Sequence, residues 1–244
     1  MKILLTGGTK GIGLAILKQL ISEGHECTII NRSKISSEEK SKITQWIYDL
    51  SNPTDVKKVC DKIKNTGEFE VLINNAGAGT PCKYEDLSIE QIDEEINLNL
   101  KAPMMIIGAV LPYMKKRGFG RIVNLSSISG KLGTPYLFTY SAAKAGINSL
   151  TQSLAGYLRN TGIMVNAICP GGVDTETSVN GRAKISKLLN YNDEDYQNQM
   201  INEIGLGRLV KPEEVADMVS YLIRPENGFI TGQSINVCGG IEVR

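Results

Sequence analysis

Apolar residues run without a break through Ile3-Leu4-Leu5, and runs of the same kind return at intervals to the end of the chain. Unbroken apolar runs of this length read as strands buried on both faces. They predict strands over 2–6, 26–31, 45–48, 70–74, 121–126, 163–169 and 234–237. Between them the apolar positions recur at helical spacing, predicting helices over 12–23, 54–65, 89–116, 138–160 and 212–223, with Pro53 and Pro212 suited to first turns. Strand and helix alternate throughout, which predicts one doubly wound α/β domain over residues 1–244. Its sheet is parallel, of about seven strands, with helices on both faces. Region 176–206 departs from the rhythm. It is polar, follows Pro170-Gly171-Gly172 and carries Arg182, Lys184, Lys187 and the run Asn192-Asp193-Glu194-Asp195. It reads as one or two short helices on a flexible base, expected to act as a lid over a substrate; the alternative is a helical surface insertion.

Composition narrows the function. The chain has 244 residues, 41% of them hydrophobic, and a net charge of +1, so no global basic field points to nucleic acid or to a membrane surface. No apolar run approaches the roughly 20 residues of a membrane span. Met1 to Leu5 is too short for a signal peptide and leads straight into a glycine-rich loop. Cys27, Cys60, Cys82, Cys169 and Cys238 contain no C-x-x-C pair and read as reduced, mostly small apolar residues of a cytoplasmic protein. The single histidine, His25, precedes the second strand. It is expected on the surface, at the wrong strand end for chemistry, and one histidine rules out a multi-histidine metal site; no metal is expected.

Behind the first strand comes Thr6-Gly7-Gly8-Thr9-Lys10-Gly11-Ile12-Gly13, then a helix. Glycine at 7, 11 and 13 lets the backbone turn tightly and approach a pyrophosphate. The helix N-terminus offers that anion free N–H groups and a partial positive charge. Strand, glycine turn and helix together are the context of a Rossmann-type dinucleotide site. The second strand ends in Asn31-Arg32. An acid there would bind a ribose 2′-hydroxyl. Arg32, helped by Lys10, suits a 2′-phosphate instead, so NADP(H) is expected over NAD(H).

Tyr140 and Lys144 lie four residues apart on a predicted helix, so phenol and ammonium share a face. A cation beside a phenol, whose ordinary pKa is about 10, favours phenolate and makes Tyr140 a candidate general acid with a lowered pKa. Ser127 lies thirteen residues upstream of Tyr140.

Four features coincide in order and spacing: Thr6-Gly7-x3-Gly11-x-Gly13, Asn74-Asn75-Ala76-Gly77, Ser127 with Tyr140-x3-Lys144, and Pro170-Gly171-x-Val173-x-Thr175. Together they resemble the short-chain dehydrogenase/reductase family over essentially the whole chain. The endings Gly207-Arg208-Leu209 and Ile230-Thr231-Gly232-Gln233 bring it nearest to 3-oxoacyl-(acyl-carrier-protein) reductases. The resemblance implies that Tyr140 exchanges a proton with the substrate oxygen and that Ser127 hydrogen-bonds this oxygen. It implies that Lys144 holds the nicotinamide ribose and that Asn99, rather than nearby Asn97, anchors a water of the proton relay. It places Asp49 and Leu50 near the adenine, Asn75, Ala76 and Gly77 along the adenosine and ribose, and Val173 and Thr175 at the carboxamide. It also implies a homotetramer, a dimer being the alternative, with interfaces on helices 89–116 and 138–160 and on helix 212–223 with the last strand.

The implied activity is hydride transfer between the nicotinamide and a ketone or secondary alcohol. Two departures separate the chain from carrier-protein reductases. Thr161 stands where a basic residue is usual, with Arg159 two residues earlier and Lys115-Lys116-Arg117 as another basic cluster, and the lid is longer. The substrate is therefore either a carrier-bound 3-oxoacyl group or a small free ketone, sugar, polyol or secondary metabolite. Two other classes stay open: a sugar-nucleotide epimerase or dehydratase, which shares the Tyr-x3-Lys pair, and a non-catalytic NADP-binding regulator.

Overall fold

The computed structural model describes residues 1–34, 43–66 and 68–243. In chain order the elements are β1 (Lys2–Thr6), α1 (Gly11–Ser22), β2 (Glu26–Asn31), β3 (Ile43–Ile47), α2 (Pro53–Thr66), β4 (Val71–Asn74), α3 (Ile89–Ile96), α4 (Ala102–Arg117), β5 (Gly120–Leu125), α5 (Ser129–Leu132), α6 (Phe138–Tyr157), β6 (Ile163–Pro170), α7 (Glu176–Leu189), α8 (Asp193–Asn202), α9 (Pro212–Ile223) and β7 (Ser234–Val237). All seven strands pair parallel in the order β3-β2-β1-β4-β5-β6-β7. The chain runs outward from β1 to β3 and then returns to the other side of β1. The crevice between the carboxyl ends of β1 and β4 is thus the topological switch, where ligands of such sheets bind.

Successive strand residues face opposite layers. Leu4, Ile30, Trp46, Leu72, Ile122 and Val165 pack beneath α2 and α4, whereas Ile3, Leu5, Ile29, Ile73 and Val123 pack beneath α1 and α9. Both layers are apolar, which is why the inner strands carry unbroken apolar runs such as Ile3-Leu4-Leu5. Helix starts follow local chemistry. The Asn52 side chain accepts the Thr54 N–H at 2.8 Å ahead of Pro53, and Ser88 accepts the Gln91 N–H at 3.2 Å. Gly118 ends α4 in the left-handed region at φ 67°.

The predicted helix over 89–116 is not continuous. Residues Asn97–Lys101 form a π turn between α3 and α4, with the Ala102 N–H reaching back to the Asn97 carbonyl. Region 176–206 folds as the two helices α7 and α8. Thr175 caps α7 by accepting the Ser178 N–H at 3.2 Å. Among the described residues no helix is long and apolar enough to cross a membrane. All five cysteines are free, and among the described residues no group of three or more His, Cys, Asp or Glu could hold a metal. His25 lies at the amino end of β2 as expected, but it is half-buried rather than bare. Its Nδ1 is 3.3 Å from the N-terminal ammonium and its Nε2 is 3.6 Å from Glu23.

Candidate active site

The loop after β1 is built to admit something large and anionic. Gly7 and Gly11 take φ 73° and 52°, which L side chains rarely adopt. A Cβ on Gly13 would stand 1.8 Å from the Gly7 carbonyl oxygen. The free N–H groups of α1 open onto the same loop. Thr6 Oγ1 accepts the N–H groups of Asn75 and Ala76 at 3.0 and 2.9 Å, and Asn75 Nδ2 donates to the carbonyls of Thr6 and Gly7 at 3.0 and 2.8 Å. These two side chains therefore lock the ends of β1 and β4 together; the Thr6 hydroxyl and the Asn75 amide nitrogen are spent on the scaffold. Asn31 does similar work, its Oδ1 accepting the Gly8 N–H at 2.7 Å. Its Nδ2 is buried without a partner among the described residues, a donor left over at the switch point.

Around this crevice the other predicted contacts arrange themselves unequally. Thr9 is half-buried, Lys10 is exposed and Ile12 packs on the core. Arg32 is exposed beyond β2, with Nη1 4.0 Å from Asp49 Oδ2. Leu50 is buried with Trp46 and Val56, leaving its side chain little surface for a ligand. Pro170 ends β6 and accepts the Ile128 N–H, while the Gly171 N–H reaches the Val237 carbonyl at 3.0 Å. Val173 is buried and bridges to Val210. The Thr175 hydroxyl serves the α7 cap, and its methyl would sit 3.2 Å from a Cβ on Gly11. The glycine loop and the base of α7 are therefore in contact. A leftover donor, glycines where side chains could not fit and a helix N-terminus suit a dinucleotide.

A second group of side chains meets at the carboxyl end of β5. The Ser127 hydroxyl hydrogen-bonds the Tyr140 phenol and accepts the Ser129 N–H at 3.1 Å. Lys144, 4% exposed, donates to the Leu125 carbonyl at 2.7 Å, with its Nζ 5.4 Å from the Tyr140 ring centroid. Asn99 is fully buried in the π turn. Its Nδ2 donates to the carbonyls of Ala78 and Glu95 at 2.7 and 2.8 Å, and its Oδ1 accepts the Ala78 N–H at 3.2 Å. Asn97 is only half-buried, which favours Asn99 as the inward-facing asparagine. Gly77 joins the groups, since a Cβ there would stand 2.8 Å from Asn99 Oδ1 and 3.1 Å from Lys144 Nζ. Ser127, Tyr140, Lys144 and Asn99 are thus brought together beside the glycine crevice.

The electrostatics correct one expectation. Spacing alone has Lys144 pulling the phenol down. Instead burial pushes Tyr140 up to about 12; the Ser127 hydrogen bond pulls the other way, while Cys169 and Glu95 add to the rise. Burial also lowers Lys144 to about 8. Desolvation penalises whichever form is charged, phenolate or ammonium. The Lys144 ammonium donates to the Leu125 carbonyl.

The basic residues noted for carrier docking lie elsewhere. Lys115 and Arg117 end α4 and Arg159 precedes β6, so all three sit at the amino edge of the sheet, opposite the crevice. Arg117 pairs with Glu70 at 2.7 Å, and Lys115 donates to the Tyr157 hydroxyl at 3.0 Å. Three features lay beyond the motif positions: the Leu125 carbonyl as the Lys144 acceptor, Ser126 donating to the Lys144 carbonyl at 3.0 Å, and the buried carboxylate of Glu95. The four-residue spacing of Gln91, Glu95 and Asn99, which puts them on one helix face, was the signal available for Glu95.

The model of the short chain dehydrogenase family matches residues 1–186. The chain is 38% identical over 243 residues to an acetoacetyl-CoA reductase of Rhizobium meliloti, covering 97% of this chain and 96% of the other. Among solved structures it is similar to a point variant of actinorhodin polyketide ketoreductase with NADPH, at a TM-score of 0.88 and 32% identity, covering 98% and 96% of the two chains. It is also similar to a 3-ketoacyl-(acyl-carrier-protein) reductase of Brucella melitensis complexed with NADH, at a TM-score of 0.85 and 25% identity, covering 99% and 98%.

Proposed function

The chain belongs to the short-chain dehydrogenase family, and from that premise we propose that it is an NADP(H)-dependent reductase of a 3-oxoacyl thioester. It is an oxidoreductase acting between ketone and secondary alcohol. The observation that carries the proposal is the grouping of Lys144 and Asn99 around Gly77 with the Tyr140–Ser127 pair, whose ring rests on Gly79, at the sheet edge that holds the glycine crevice. The relatives named above add the substrate class, since one is an acetoacetyl-CoA reductase and another a 3-ketoacyl-(acyl-carrier-protein) reductase.

When bound, NADPH would supply the hydride, and the residues of the chain do the rest. Tyr140 donates its proton to the carbonyl oxygen as negative charge develops there, and Ser127 hydrogen-bonds the same oxygen. Donors fixed in advance on a developing oxyanion contribute about 3–4 kcal/mol each. A phenol held at about 12 stays protonated at neutral pH and is ready to act as an acid. Lys144 would hold the ribose hydroxyls, and at about 8 it is both cationic at neutral pH and able to return a proton. Asn99 fixes the loop beside them and anchors the relay water. Thr6, Gly7, Thr9, Gly11, Ile12 and Gly13 would form the pyrophosphate cradle, with Asn31 at its side. Asp49 and the backbone at Leu50 would flank the adenine, Asn75, Ala76 and Gly77 the ribose, and Pro170, Gly171, Val173 and Thr175 the carboxamide. α7 and α8 close over the substrate.

NADP(H) is favoured over NAD(H) because exposed Arg32 and Lys10 flank the crevice where an acid would mark NAD. Titration of the protein with NADPH and with NADH, read by nucleotide fluorescence, tests this. At least tenfold tighter NADPH binding (about 1.4 kcal/mol) supports it, and an NADH preference overturns it. Turnover of acetoacetyl-CoA with NADPH tests the substrate. A small free ketone is the second reading, favoured by the position of Lys115, Arg117 and Arg159 at the far edge of the sheet. For assembly we propose a homotetramer, supported by exposed Met104 and Met105 on α4, Tyr157 on α6 and Tyr221 on α9; light scattering distinguishes it from a dimer.

A further inference from the structure

Gln91, Glu95 and Asn99 recur every four residues along α3 and the π turn, and all three reach one irregular stretch of chain, residues 78–82. Asn99 meets both backbone groups of Ala78. Glu95 Oε1 accepts the Thr80 N–H at 2.8 Å, while Gln91 Nε2 donates to the Thr80 carbonyl at 2.9 Å and to Glu95 Oε1 at 3.2 Å. The Cys82 N–H closes the far end on the Tyr136 carbonyl at 3.1 Å. Between the two pinned residues lies Gly79, where a Cβ would stand 2.8 Å from Tyr140 Cβ and 2.9 Å from its Cγ. The backbone of Gly79 is therefore the wall against which Tyr140 rests. Gly79 and Pro81 also form one side of a cleft of about 180 Å³ opposite Lys10, Asn180 and Lys184.

Glu95 is 7% exposed. The groups acting on it are the Thr80 amide, the Gln91 amide and the neighbouring Glu94 carboxylate, and the Tyr140 phenol feels it in turn, with no cation among them. Burying a carboxylate without a cation is costly, so its hydrogen bonds must be what keeps it there. We propose that Glu95, seconded by Gln91, is a positioning residue that latches the 78–82 loop against Tyr140 and so fixes both the phenol and the wall of the cleft. This rests on the reading of Tyr140 as the proton donor.

The test compares Glu95→Val, Glu95→Gln and Gln91→Ala, using acetoacetyl-CoA and NADPH for turnover and hydrogen exchange for the Ala78 and Thr80 amides. In Glu95→Val the exchange of these amides should quicken and kcat fall, each by about tenfold or more, with NADPH affinity within about twofold of wild type. Glu95→Gln keeps an oxygen that accepts both hydrogen bonds and should restore both readouts. Wild-type exchange and kcat in Glu95→Val overturn the inference, and so does a Glu95→Gln variant as impaired as Glu95→Val. Should Glu95→Val not fold, Gln91→Ala decides: its exchange should quicken and its kcat fall by about threefold, and no change in either overturns the latch. Tyr140→Phe separates the two readings. Wild-type turnover in that variant removes the proton-donor reading, whereas the exchange result reports on the latch alone.

Discussion

Gly13 and Gly7 are in backbone contact across the glycine loop, so close that any Cβ on Gly13 would overlap the Gly7 carbonyl oxygen. The same Cβ would stand 2.5 Å from Asn75 Nδ2, the group that ties β4 to this loop. A methyl at 13 must therefore displace both the turn and the strand tie. Gly13→Ala is expected to weaken NADPH binding by about a hundredfold or more, through lost preorganisation. Gly108→Ala is the control. Gly108 lies in α4, far from the loop, with no atom of its own chain where a methyl would stand, so that variant should bind NADPH normally. Nucleotide fluorescence checks the pair.

Arg32 is free to swing because its ion pair with Asp49 is long and exposed. Arg32→Ala should raise the Kd for NADPH by about tenfold and leave that for NADH nearly unchanged, the loss expected for one charge-assisted contact. Equal losses for the two nucleotides would assign Arg32 to the common part of the cofactor.

Tyr140→Phe removes the hydroxyl that Ser127 contacts while keeping the ring that rests on Gly79. Its kcat should fall by about 10²–10⁴, the usual range for a general acid, with NADPH binding intact. Ser127→Ala should lose less. Single-turnover measurements separate these losses from slow product release.

Lys144 gives a pH signature. Its ordinary value is 10.5 and the fold lowers it to about 8. Below pH 8 both folded and unfolded chains carry the proton, and the fold bears the cost of a buried ammonium. Between about 8 and 10.5 the unfolded chain still binds the proton while the folded chain has released it, so this group makes stability rise with pH. Lys144→Met lacks that rise. The stability of wild type relative to Lys144→Met should therefore increase from about pH 7 to about pH 10 in urea titrations. A constant difference would mean that Lys144 keeps its ordinary value. Tyr140 acts in the opposite sense only above its ordinary 10.0, where stability falls toward 12.

The inner strands were legible because they are buried on both faces, as β1 and β4 are, whereas the edge strands β3 and β7 are only partly buried; β1, β2 and β7 nevertheless run over the expected residues. α5 was not, because Ser129-Gly130-Lys131-Leu132 offers no apolar period. Site residues with a fixed motif could be named in advance, but their electrostatics could not. The spacing of Tyr140 and Lys144 shows proximity; only the packing around them shows that burial outweighs it. Glu95 was hidden in the run Asp93-Glu94-Glu95, which reads as a solvated acidic face. Thr6, Asn75 and Thr175 were visible as motif positions, yet their side chains hold the scaffold: two tie strand ends together and one caps α7.

The π turn has a consequence for anyone editing this protein. One surplus residue between α3 and α4 puts the two helices about 100° out of phase. A helical wheel drawn from Ile89 would therefore assign the wrong flank of α4 to the interior. Deleting a single residue from Asn97–Lys101 would leave a smoother helix and fully paired backbone. It would also swing buried Ile106, Val110 and Met114 away from the sheet, or else turn Asn99 and Glu95 out of the site. The irregularity lets one length of chain serve two masters, a polar wall at its start and a greasy seat at its end.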